Sequence, residues 1–270
     1  MLKTRICVED NKECMNIINS IDDILKFIDD FKFLLFGRDI IMCDKYIFSL
    51  QNLLNSSLMT LENIKTCCVK FTLADAYTLL RKYRDDLFFC LYLISFDSMQ
   101  KIGDTKKAEY MKEKILKWCN NNLTGLYIGD ILTAIYKSDI QVSVAIKRFK
   151  LKEAFDSIAT RLNNYVHGNG WIFYNSNIIS YDEDAVRKEL EDITRDIKYV
   201  SIVFIFLLIL CSPGYVMATD YIDYLEANEV PPENSQYWVP PFVKDFLCDN
   251  LNMIHNECYE FLKNNTCMFL

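Results

Sequence analysis

Leu151–Gly170 reads LKEAFDSIATRLNNYVHGNG, one amphipathic helix with a sharp stop. Leu151, Ala154, Phe155, Ile158, Leu162, Tyr165 and Val166 recur at spacings of three and four, which gathers them on one apolar face. Gly168 and Gly170 flank Asn169 and can take the left-handed turn that ends a helix. Off the apolar face, Arg161, Asn164 and His167 follow at steps of three. Each step turns the helix by about 300°, so the three side chains fall within a sector of roughly 120°. The chain has only 2 His, so an imidazole at a helix end stands out. A structural role accounts for the same residues: Arg161 and Asn164 solvated, and His167 favoured by the negative end of the helix dipole.

Composition points the same way as this helix. A chain of 270 residues holds one large or two small domains. With 51% hydrophobic and 25% charged residues it is globular and rather apolar. Only 7 Gly and 5 Pro leave little room for tight turns, which favours helices over a β-sandwich. The expectation is an all-α helical bundle over residues 1–180, followed by a long helix and a C-terminal helical section over 181–270. A net charge of -7 excludes a protein coated in nucleic-acid-binding surface, although a local basic cleft remains compatible with it. The 11 Cys are odd in number and contain no C-x-x-C pair, and the opening MLKTRICVEDNKECMN has no apolar signal core. Reduced thiols in a cytoplasmic protein, with no metal and no cofactor, are the expectation.

The second informative stretch is Phe71–Phe96, FTLADAYTLLRKYRDDLFFCLYLISF, a helix with Thr72 as its N-cap. Its ends are apolar and its middle is Arg81-Lys82-Tyr83-Arg84-Asp85-Asp86. Six consecutive residues cover every face of a helix, so some of these charges share a side with buried neighbours. Inward charges must be paired or must line a cleft. Pairing along the helix, Arg81 with Asp85 and Lys82 with Asp86, is the plain alternative.

Elsewhere the periodicity predicts helices over 14–36, 40–57, 106–119, 126–136 and 141–149, with 61–70 a short helix or connector. Trp171–Tyr174 and Ile178-Ile179, around Asn175-Ser-Asn177, are β-prone and predict a small hairpin. Ser180 and Glu183 fit a capping box for a long helix over 182–211. Its second half, Val200–Cys211, is almost wholly apolar but only about a dozen residues long, and spanning a bilayer takes roughly 20. It is expected in the core or at an interface. After the prolines 231–232 and 240–241, a last helix is predicted over 242–262. On it His255 and Cys258 lie three apart, two metal-capable groups without a third nearby, which favours packing over ligation.

Arg161-Leu-Asn-Asn-Tyr-Val-His167 matches the spacing R-x(4–6)-H on a helix late in a helical bundle. In this it resembles the HEPN superfamily, the "higher eukaryotes and prokaryotes nucleotide-binding" domains, over about residues 70–170. Leu162 stands where that family commonly has a polar residue. The resemblance implies a metal-independent endoribonuclease or RNA-binding protein of toxin or antiphage-defence type. It further implies a homodimer and a neutralising antitoxin or regulatory partner. His167 would be the acid/base, Arg161 the phosphate clamp and Asn164 an orienting group, with Arg81, Arg84 and Asp85 as the opposite, substrate-binding wall. That chemistry suits the residue types. Histidine titrates near neutrality, and a guanidinium binds a phosphate through two parallel hydrogen bonds. The alternative from a different class is a non-catalytic helical interaction protein, with Val200–Cys211 as a segment for association with a membrane.

Overall fold

The predicted first helix is broken in two, into α1 (Lys12–Asn19) and α2 (Asp22–Leu34). At the break the Ser20 hydroxyl donates to the Ile17 carbonyl at 2.6 Å, a local bond that competes with helix continuation. The computed structural model describes residues 6–35, 37–122, 128–168, 170–175, 182–217 and 220–270.

The hairpin is not where the sequence placed it. It is built from β1 (Ile40–Cys43) and β2 (Tyr46–Ser49), antiparallel, with Cys43 opposite Tyr46. Asp44 opens the two-residue turn at a φ of 55°, a left-handed conformation that aspartate tolerates. Alternating Ile41 and Cys43 face the core while Ile40 and Met42 face out, a two-residue period that the helical reading of 40–57 overlooked. Trp171–Tyr174, expected to be β, lies instead in a short helix, Gly170–Asn175, and residues 176–181, with the second expected strand at Ile178-Ile179, lie outside the described residues.

From Leu50 the chain is helical in long pieces. α3 (Leu50–Lys70) takes in residues 61–70, read as a short helix or connector, and ends at Phe71, whose left-handed backbone lets the Thr72 amide donate back to the Cys67 carbonyl at 2.9 Å. α4 (Leu73–Lys101) returns beside it and is central: Leu87–Phe96 is buried on every side. α5 (Thr105–Cys119), α6 (Ile128–Ser138) and α7 (Ile140–Arg148) follow, and the Thr124-Gly125 start expected for α6 is outside the described residues. α8 (Leu151–Val166) is the Arg–His helix, and α9 (Gly170–Asn175) the short one after it.

α10 (Glu183–Cys211) matches the predicted long helix. Its N-cap is Asp182, which accepts from the Ala185 amide at 3.3 Å; Ser180 is outside the described residues. Val200–Leu210 is buried throughout, and among the described residues no helix is long and apolar enough to cross a membrane. α11 (Asp220–Glu226) leads to the proline loop. The predicted last helix is divided into α12 (Pro241–Asn250) and α13 (Cys258–Asn265), with one 3₁₀ turn, Leu251–Met253, between them. There the Asn250 side chain donates to the Phe246 carbonyl at 2.8 Å, again a local competitor for the helix ladder. The fold is all-α, with one small hairpin among the described residues.

Three of these helices set the site. Tyr77 meets Tyr165 and Phe88 meets Phe155, so α4 and α8 run antiparallel. Tyr77 meets Glu189 and Tyr83 meets Ser201, so α4 and α10 run the same way.

Candidate functional site

The apolar face read from α8 is the buried one: Leu151, Phe155, Ile158, Leu162 and Tyr165 enter the core. Leu162 is fully buried, so packing explains its identity. The Tyr165 ring stacks on Tyr77 at 4.2 Å between centroids, and Phe155 meets the Phe88 ring edge-on at 4.8 Å. These two contacts fix the register of α8 against α4.

Arg161 does not stand free in solvent. Its Nε and Nη2 donate to the two carboxylate oxygens of Asp196 on α10, each at 2.8 Å, a bidentate pair. The Asp196 side chain is only 3% exposed and that of Arg161 31%. Burial pushes the Asp196 carboxyl above the usual carboxylate range, and Arg161 draws it part of the way back. Burial also opposes the Arg161 charge, but Asp196 outweighs it and the arginine is held charged. Arg195 stands 3.6 Å from the same carboxylate and pairs with Asp192 at 2.7 Å. Beyond these, the Tyr77 hydroxyl donates to Glu189 at 2.9 Å, and burial followed by that carboxylate pushes the phenol pKa up.

His167 caps the C-terminal end of α8 and is exposed; its backbone amide closes the last turn on Asn163. Gly168 and Gly170 sit at φ of 59° and 74°, the left-handed turn expected of them. Asn164 is half-buried between Arg161 and His167. The amide of Asn163, a residue the sequence did not single out, accepts from Arg81 of α4 at 3.2 Å. That bond brings the α4 charge block to the Arg–His helix.

The block divides by face. Arg81 turns to α8 and sits 3.8 Å from Asp85. Lys82 pairs with Asp86 and also donates to Ser56 and Thr60 of α3, at 3.2 and 3.1 Å. Tyr83 bonds Ser201 of α10 at 2.7 Å. Arg84 is the buried charge at 4% exposure: Nε and Nη2 reach Asp85, and Nη1 is buried without a partner among the described residues. Tyr77, Arg84 and Phe88 fall within about 40° on the α4 wheel, so Arg84 lies on the side that carries the α8 contacts.

Sequence reasoning missed Asp196, Tyr77 and Glu189. Asp196 was detectable: Leu190, Ile193, Ile197 and Val200 form the inward stripe of α10, and Asp196 lies beside it at three from Ile193 and four from Val200. A carboxylate there demands a cation. Also missed was the aromatic pair just past His167. Trp171 is 72% exposed and Tyr174 64%, and their rings stack at 5.3 Å.

The second histidine, His255, is exposed; its Nδ1 accepts from the Glu257 amide at 3.2 Å and its ring lies against Phe149. Cys258 is buried, and no group of three or more His, Cys, Asp or Glu placed to hold a metal ion occurs among the described residues. A cavity of about 630 Å³ between α2 and the proline loop, lined by Asp30, Phe33, Asp220 and Trp238 among others, includes none of the residues selected from the sequence. Compared with protein-family models, curated proteins and solved structures, the chain has no match in any of the three.

Proposed function

We propose that the chain is a metal-independent endoribonuclease or RNA-binding protein of HEPN type, working from the C-terminal half of α8. The observation that carries this is the Arg81–Asn163 bond, which sets the charged middle of α4 against the helix bearing Arg161, Asn164 and His167. Asp196 holds the Arg161 guanidinium in one orientation and uses Nε and Nη2, leaving Nη1 for a phosphate oxygen. His167 is exposed where it can take the proton of a ribose 2′-hydroxyl as that oxygen attacks the neighbouring phosphate and the 5′-oxygen leaves. Trp171 and Tyr174, stacked and exposed on α9, offer a platform on which unpaired bases stack. A second copy of the chain, with its own Arg–His helix, would close the cleft from the other side.

One observation favours a different reading. Glu189, Asp192 and Asp196 all act on the Arg161–Tyr165 segment, so the surroundings of Arg161 carry as much negative as positive charge. In that reading the arginine ties α8 to α10 and the protein is a non-catalytic helical interaction module. Cleavage and binding of a mixed single-stranded RNA with EDTA present separate the two. Cutting by the wild type that is lost in His167→Ala supports the ribonuclease; binding without cutting supports the RNA-binding form. Neither cutting nor binding leaves the interaction module.

A further inference from the structure

A cavity of about 420 Å³ opens between α6, α7 and the start of α8, apart from Arg161 and His167. Its inner wall is apolar: Leu132, Ile146 and Phe155, all buried. Its rim carries Lys137, Lys147 and Lys152, each exposed, against Glu153 and Asp156. The Tyr136 phenol stands between wall and rim, with Lys147 over its ring at 5.2 Å. Hydrogen bonds from Lys147 and Ser143 lower the phenol pKa. A neighbouring cavity of about 210 Å³ shares Lys137 and adds Lys106 and Lys107, with no carboxylate in its lining. Together the two cavities are lined by five lysines and two carboxylates, in a chain of net charge -7. Lys107 is paired with Asp104 at 3.1 Å, so the positive charge facing the larger cavity comes from its own rim, Lys137, Lys147 and Lys152, against the trend of the whole molecule.

We propose that this cavity binds a small organic anion with an apolar body, its acid group at the lysine rim and its body against Leu132, Ile146 and Phe155. The volume falls in the range of ligand sites, roughly 300–1,000 Å³, and an apolar wall with a few convergent polar groups is their usual make-up. A lone inorganic anion would leave the wall unused, and an uncharged hydrophobe would leave the lysines unused. Glu153 and Asp156, on the α8 side, repel a second acid group and restrict the ligand to one compact charge.

The test uses the fluorescent probe 8-anilinonaphthalene-1-sulfonate, a sulfonate on an aromatic body, with the full chain. The expected result is one saturable site from which decanoate displaces the probe at least tenfold better than decylammonium or inorganic phosphate. Lys147→Glu with Lys152→Glu, two exposed changes, should weaken the probe at least tenfold with the unfolding temperature kept. Leu132→Trp, which fills the cavity floor, should abolish the site while leaving the far-ultraviolet circular dichroism unchanged. Probe binding that is absent, or that survives the lysine reversals, overturns the proposal. So does displacement by decylammonium as effective as by decanoate.

Discussion

Replacing Arg161 with Met keeps much of the side-chain volume and removes the bidentate partner of Asp196. Breaking a fully buried ion pair by deleting one member costs about 3–5 kcal/mol, because the other charge stays behind uncompensated. Here the carboxylate is 3% exposed but the guanidinium 31%, and Arg195 remains 3.6 Å away. Roughly half the full penalty, ~2 kcal/mol, is therefore expected at neutral pH. For a chain near this size that lowers the melting temperature by roughly 4–8 °C. The pH dependence has a definite sign. The folded-state pKa of Asp196 is raised by burial above the unfolded value, so the folded form binds more protons between the two values. This carboxylate's contribution to stability therefore falls as pH rises through that window. Removing Arg161 raises the folded pKa further and widens the window upward. The deficit of Arg161→Met relative to wild type should be largest where Asp196 is ionised in the folded variant, and should shrink on acidification as the carboxyl takes up a proton. Adding Asp196→Leu to Arg161→Met should recover most of the loss, since an apolar pair replaces a buried charge. Differential scanning calorimetry across a range of pH reads the wild type and both variants. An unchanged melting temperature at neutral pH, or a deficit that widens on acidification, would refute the reasoning.

His167→Ala should abolish RNA cleavage while moving the melting temperature by less than about 2 °C, because the side chain is exposed at a helix end; full activity in this variant, measured with EDTA present, would sink the proposed mechanism. Arg84→Met should change stability by less than about 2 kcal/mol in urea unfolding, because the lost bonds to the partly exposed Asp85 are offset by replacing a buried guanidinium whose Nη1 has no partner among the described residues; a larger loss would show that the Arg84–Asp85 pair outweighs the burial of that charge. Cys7, Cys248 and Cys267, all exposed, should react first with a thiol reagent in the native protein, while Cys68 and Cys90, pushed up to about 12 by burial, should react only on unfolding; early modification of Cys68 or Cys90 in peptide mass mapping would contradict their placement. Light scattering should give a dimer at micromolar concentration if two Arg–His helices share one cleft, and a monomer would remove the shared cleft from the proposal.

The long helices were legible because each shows an apolar period over many turns. α8 and α10 begin and end close to their predicted limits, α4 starts as predicted but runs on past Phe96 to Lys101, and the left-handed turn after His167 follows from its two glycines. The errors lie where segments are short. Residues 40–49 are apolar and brief, so period alone did not separate a strand pair from a helix; Trp171–Tyr174 is β-prone by residue type, yet it follows α8 as one helical turn and a half. The breaks at Ser20 and Asn250 come from single side chains bonding a carbonyl three or four residues back, a competition that leaves the apolar period on either side intact.

The site was half legible for a different reason. A helical wheel gives the direction in which a Cα–Cβ bond leaves the helix, and for Asn164 and His167 that is nearly where the side chain ends. Arginine has a stem several bonds long, so its charged group can finish well away from its wheel position. Arg161 leaves α8 beside Asn164 and yet places its guanidinium on Asp196 of α10. The carboxylate is the fixed member of this pair, because its short side chain is enclosed by the core stripe of α10, and the arginine comes to it. The same length lets Arg81 cross from α4 to Asn163. The sequence thus exposes the demand, an acid beside one apolar stripe and a basic block inside another. Which cation answers which acid depends on the register between helices, here set by the Tyr77–Tyr165 and Phe88–Phe155 contacts. Any chemistry at His167 must work beside an arginine that is already half committed, and its rate should therefore depend on Asp196 as well as on the two residues of the motif.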